Sequence, residues 1–80
     1  MNARKAVAKR ILQLCQERNL KVNALANLSG VTPSTFYSVL GAKSQNPGIA
    51  TIKKLCDGLE ISLREFFDDE IFDALEQEIQ

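Results

Sequence analysis

The sequence contains no histidine, and its two cysteines, Cys15 and Cys56, stand far apart without a C-x-x-C spacing. The first absence removes the most versatile general base and metal ligand, and the second leaves no recognisable zinc or thiol-exchange site. Both thiols are expected reduced, in or beside a core, as in a cytoplasmic protein. No apolar run reaches the roughly 18 residues of a membrane span. The opening MNARKAVAKRILQLC is too interspersed with charge for a signal segment, so no membrane association is expected. A phosphate-cradling glycine loop is missing, and the acids of DDEIFDALEQE lack the glycine and spacing of a calcium loop. Catalysis, a metal, a cofactor and a small-molecule ligand are therefore not expected.

What remains is one small domain: 80 residues, 45% hydrophobic, close to the lower size at which a core holds without staples. Its net charge of zero conceals a division. Residues 1–54 carry nine Lys or Arg against Glu17 alone, a balance of +8, whereas residues 55–80 carry nine acids against Arg64, a balance of −8. Such a separation suits a polyanionic partner on one side and a different surface on the other, although solvated helix faces are the plainer explanation.

Apolar residues recur at helical spacing throughout, and no segment alternates as a strand does, so an all-α fold is expected. Val7, Ile11 and Leu14 stripe a first helix; Leu25 and Leu28, with Ala24 and Ala26, mark a short second; Phe36, Val39 and Leu40 face inward from a third. After the polar loop closed by Pro47, Ile49, Ile52, Leu55, Cys56 and Leu59 line a fourth helix with Gly48 at its N-cap. ISLREF predicts a capping box between Ser62 and Glu65 and a hydrophobic staple between Ile61 and Phe66, opening a fifth helix. Beyond it, DDEIFDALEQEIQ reads as an acidic amphipathic helix, or a continuation of the fifth, with Ile71, Leu75 and Ile79 on one stripe.

The stretch LANLSGVTPSTFYSVLG carries the functional signal. Gly30 can adopt the left-handed conformation that ends helix two, Thr32 caps the next helix, and Pro33 suits its first position. The chain thus reverses within a few residues, as a helix-turn-helix does, with small Ala26 allowing close approach and Val31 filling the corner. With Phe36, Val39 and Leu40 inward, Thr32, Pro33, Ser34, Tyr37 and Ser38 are left on the outer face of helix three, the part that enters the major groove in such motifs.

Residues 7–67, through ILQLCQERNLKVNALANLSGVTPSTFYSVLGAKSQNPGIATIKKLCDGLEISLREFF, resemble the helix-turn-helix domain of the lambda repressor and Cro superfamily, the XRE family. Ala26, Gly30 and Phe36 match its small residue, turn glycine and buried apolar residue. The resemblance implies a five-helix, lambda-repressor-like DNA-binding domain over residues 1–67, with 68–80 as an added acidic C-terminal helix that packs on the domain or makes a dimer contact. It also implies a transcriptional regulator that commonly acts as a dimer on two half-sites. Some positions depart from the pattern. Val22 stands where many members have a phosphate-contacting glutamine, Lys21 where they have a Ser or Thr cap, and Glu60 where a glycine usually ends helix four. Gly41 and Ala42 likewise replace a polar residue and a glycine after helix three.

The expected site follows. Pro33, Ser34, Tyr37 and Ser38 are candidates to meet base edges, since hydroxyls donate or accept and the Tyr37 ring can pack on a thymine methyl; the plain alternative is a solvated face with Tyr37 as a partly buried anchor. Lys5, Lys9, Arg10, Thr32 and Thr35, with the loop residues Lys43, Ser44, Gln45 and Asn46, are candidates for phosphate, against the alternatives of a cap for Thr32 and an ordinary polar loop. Helix three has no Lys or Arg between Pro33 and Leu40, so the commonest guanine contact cannot come from it. Phe66, Phe67, Ile71, Phe72, Leu75 and Ile79 are candidates for a homodimer contact, or else pack on their own domain. The expected function is a sequence-specific, double-stranded DNA-binding repressor. The alternative is a protein-interaction module whose acidic C-terminal helix docks on a basic partner.

Overall fold

Asn2 opens the first helix of the computed structural model, which describes residues 2–41 and 47–77; its side chain accepts from the Lys5 N–H at 2.9 Å. Helix α1 (Ala3–Glu17) buries Ala6, Val7, Ile11, Leu14 and Cys15, the predicted stripe with its neighbours. Asn19, at φ 55°, turns the chain into α2 (Val22–Ser29), whose N-cap Lys21 gives no side-chain bond. Gly30 at φ 67° ends α2, and α3 (Pro33–Leu40) follows at once. Helix α4 (Ile49–Leu59) and the one-turn α5 (Leu63–Phe66) complete the bundle. All regular structure among the described residues is helical.

One core joins these elements. Phe36, Leu25, Leu55, Cys56, Ile11 and Phe66 are each fully enclosed, drawing on all five helices. Helices α2 and α4 come close together at Ser29 and Gly58. A methyl built on Gly58 would lie 2.3 Å from the Ser29 Oγ, 3.1 Å from its amide nitrogen and 3.2 Å from its Cα, so the missing side chain at residue 58 is what lets the two backbones approach. The Ser29 hydroxyl is enclosed there with no hydrogen-bond partner among the described residues.

Two expected core positions face solvent instead. Leu28 is 62% exposed because the buried face of α2 is centred between Leu25 and Ala26, and Leu28 lies almost opposite Ala26 around the helix. Ile49 is 61% exposed, while Ile52 one turn later is 4% exposed; the first turn of α4 projects beyond the core that covers the next.

At Ser62 the predicted N-cap forms, its side chain accepting from the Glu65 N–H at 3.0 Å with Ile61 and Phe66 both buried, while the Glu65 carboxylate lies 4.0 Å from the Arg18 guanidinium. The acidic helix does not form. Glu70–Phe72 is a single 3-10 turn and no helix follows through residue 77; Ile79 lies outside the described residues. Asp69, Glu70, Asp73 and Glu76 would stack like charges at helical i,i+3 and i,i+4 spacing, which opposes a helix. Tertiary anchors favour the turn: the Asp69 side chain accepts from the Ile71 N–H at 2.9 Å, and the Phe72 ring packs edge-on to Phe67 at 4.9 Å between centroids.

Candidate nucleic-acid interface

The candidate surface is built from the turn outward. Gly30 and Val31 donate their amides to the last turn of α2, the Val31 N–H reaching the Ala26 carbonyl at 3.2 Å, and Val31 is buried in the corner. Thr32 then caps α3 by accepting from the Thr35 N–H at 3.2 Å, with Pro33 in the first turn, where a missing N–H removes no helical bond. Phe36 and Val39 fix the rotation of α3 by burying against the core. That rotation leaves Thr32, Pro33, Ser34, Thr35, Tyr37 and Ser38 exposed along one helix.

Hydrogen bonding refines this face. The Thr32 hydroxyl donates to the Thr35 Oγ1 at 2.9 Å, which leaves the Thr35 proton available to an outside acceptor. Tyr37, half exposed, sets its ring edge-on to Phe36 at 6.1 Å and donates its hydroxyl proton to the Asn23 Oδ1 on α2. Sequence reasoning passed over Asn23, since no local spacing connects residues 14 apart. At the far end of α3, Arg4 Nη1 donates to the Gly41 carbonyl at 2.9 Å, tying the charged start of α1 to the helix that carries the hydroxyls.

The cationic candidates divide. Lys5 and Lys9 stand exposed one turn apart on α1. Arg10 does not belong with them: it is 7% exposed, and its guanidinium donates to the Phe66 carbonyl at 2.7 Å, the Glu65 carbonyl at 2.9 Å and the Gln13 Oε1 at 3.0 Å, with Asp69 Oδ2 at 3.3 Å. Two of these acceptors are carbonyls at the C-terminal end of α5, where no further helical turn supplies N–H groups, although the Glu65 carbonyl also takes the Asp68 N–H at 3.3 Å. The guanidinium fork suits that cluster, so Arg10 is a structural clasp and is withdrawn from the phosphate candidates. Lys53 is paired with Asp57 one turn along α4. Lys43, Ser44, Gln45 and Asn46 lie outside the described residues.

The dimer candidates also divide. Phe66 is completely buried in its own domain and offers nothing to a second copy. Phe67 is 38% exposed, while Ile71, Phe72 and Leu75 are partly covered. Phe67 also joins Gln13, Asp68, Asp69, Glu70 and Asp73 around an open acidic cleft.

The Cro/C1-type HTH DNA-binding domain profile matches residues 10–70. The chain belongs to this family. Two of the solved structures share the fold of this Cro/C1-type domain. One, described as prophage Lp1 protein 11, is 32% identical, with a TM-score of 0.83 over 94% of this chain and 100% of that chain. Another is a tyrosine-to-phenylalanine mutant of the restriction-modification controller protein C.Esp1396I, 22% identical, with a TM-score of 0.76 over 98% and 100% of the two chains; that likeness concerns the fold. No curated protein matches the sequence significantly. Family membership makes the chain a DNA-binding regulator rather than an enzyme. No helix among its described residues is long and apolar enough to cross a membrane.

Proposed function

We propose that this Cro/C1-type domain is a cytoplasmic, sequence-specific repressor that reads the major groove of double-stranded DNA with α3. The observation that carries the reading is the division of α3 into a buried apolar face, Phe36 and Val39, and an exposed face bearing Ser34, Tyr37 and Ser38 directly after the Gly30 turn. Ser34, Tyr37 and Ser38 supply groups that hydrogen-bond base edges, and the Pro33 ring offers an apolar contact. Thr35, with its proton unclaimed by Thr32, and the exposed Lys5 and Lys9 contact phosphate; Thr32 is chiefly a cap. Ionic contacts of this kind fix orientation, and each neutralised phosphate steepens the log–log salt dependence by about 0.9.

A single small module with few cationic contacts binds weakly, so repression requires two copies on two half-sites. Phe67, with Ile71 and Leu75, forms the homodimer contact in this reading.

A titration with duplex selected from a random pool and with unselected duplex tests the proposal. Tyr37→Ala with Ser38→Ala weakens the selected duplex far more than the unselected one, whereas Lys5→Ala with Lys9→Ala weakens both. An unmodified chain with no duplex affinity at low salt overturns it. The acidic cleft beside Phe67 supports a second reading, docking of a basic protein partner, and that outcome would favour it.

A further inference from the structure

The bond between Tyr37 and Asn23 limits what the tyrosine can say to a base. A phenol carries one proton, and here it is donated to the Asn23 Oδ1 across the gap between α3 and α2. The lone pairs of the Tyr37 oxygen are then what the hydroxyl presents outward. In the major groove, protons are offered by the N6 amine of adenine and the N4 amine of cytosine, whereas thymine O4 and guanine O6 and N7 are acceptors. Two acceptors face to face leave both unpaired.

We infer that Asn23 is a positioning residue that fixes the Tyr37 hydroxyl as an acceptor, so that the base opposite Tyr37 carries an exocyclic amine, adenine or cytosine. The inference rests on α3 reading the major groove. It assigns a specificity role to a residue of α2 that need not touch the base. Rotating the hydroxyl to donate to a keto base would break the bond to Asn23, a difference of about five- to tenfold in affinity for one hydrogen bond.

The test selects duplexes from a random pool with the unmodified chain and then with Tyr37→Phe; the position whose preference disappears is the one Tyr37 meets. Adenine or cytosine is expected there. Replacing it with purine or 2-pyrimidinone, which lack the amine, lowers affinity of the unmodified chain about five- to tenfold and leaves Tyr37→Phe unaffected. Asn23→Leu returns the proton to Tyr37 and relaxes the preference to admit thymine or guanine. Asn23→Asp retains an acceptor and keeps the preference while weakening all duplexes alike. A structural role alone would lower affinity without changing which base is chosen, and Asn23 is exposed, so the thermal midpoints of its variants report any loss of folding separately. Thymine or guanine at that position, an unchanged preference in Asn23→Leu, or no position altered by Tyr37→Phe each overturns the inference while leaving DNA reading by α3 standing. If the unmodified chain selects no sequence, the proposed function fails, and this inference with it.

Discussion

Arg10 on α1 donates its Nε proton to the carbonyl of Phe66, 56 residues further along the chain, at 2.7 Å. Together with the bonds to Glu65 and Asp69 it holds the end of α5 and the 3-10 turn against α1. Removing the guanidinium takes the Arg10 donor from the buried end of α5, where the Glu65 carbonyl keeps the Asp68 N–H at 3.3 Å and the Asp69 carboxylate keeps the Ile71 N–H at 2.9 Å. Arg10→Ala is expected to lower unfolding free energy by about 2–4 kcal/mol, read from urea denaturation. Duplex affinity measured well below its melting midpoint should fall less than in Lys9→Ala; the reverse order would return Arg10 to the phosphate surface.

The Gly58–Ser29 crossing makes opposite predictions for its two partners. Ser29→Ala removes a polar atom that has no partner and should be neutral or stabilising by up to about 1 kcal/mol. Gly58→Ala should cost about 1–3 kcal/mol despite the better helix propensity of alanine, because the Ser29 hydroxyl and, behind it, the Ser29 backbone stand in the way. Thermal melts of the two single variants and the double variant would reveal the coupling, the double costing less than the sum.

Left-handed backbone gives a second contrasting pair. Glu60 holds φ 59° at the end of α4, is exposed, and stands where a side chain is strained; Glu60→Gly should gain about 1 kcal/mol. Gly30 holds φ 67° with open space around it, so Gly30→Ala should lose about 1 kcal/mol through conformation alone. Chemical denaturation midpoints moving the other way would remove the backbone argument at either site.

Burial pushes the thiols of Cys15 and Cys56 above the ordinary thiol range; Arg18 partly offsets this at Cys15, while Asp57 adds to it at Cys56. Groups whose folded pKa is raised stabilise the fold fully below the unfolded value and lose that contribution as pH rises. Unfolding free energy should therefore decline above about pH 8.5, where unfolded cysteine ionises. The decline should be shallower in a Cys15→Ala, Cys56→Ala double variant, measured by urea denaturation at pH 7 and pH 9.5.

How much of this was legible in advance follows from the range of each interaction. The turn glycine, the Thr32 and Ser62 caps and the Pro33 helix start depend on residues within three or four positions, and all appear where the sequence placed them. The expected exposure of Ser34, Tyr37 and Ser38 followed from the burial of Phe36 and Val39 on the same short helix. The errors arose where distant partners decide. Arg10 looked like one more surface cation because its acceptors come from the other end of the chain. The acidic stripe had helical period, but its own charge repulsion and the packing of Phe72 on Phe66 and Phe67 favour a turn. Asn23 carried no sequence signal at all until α2 and α3 crossed.

The Arg10 clasp also sets a schedule for the nascent chain. A ribosome that has delivered all of α1 through α4 has still not supplied the carbonyls and carboxylate that the guanidinium needs, the last of which arrives with Asp69. Until then the Arg10 guanidinium has, of its folded-state acceptors, only Gln13 on its own helix, so the finished packing of the first helix waits for residues 65–69.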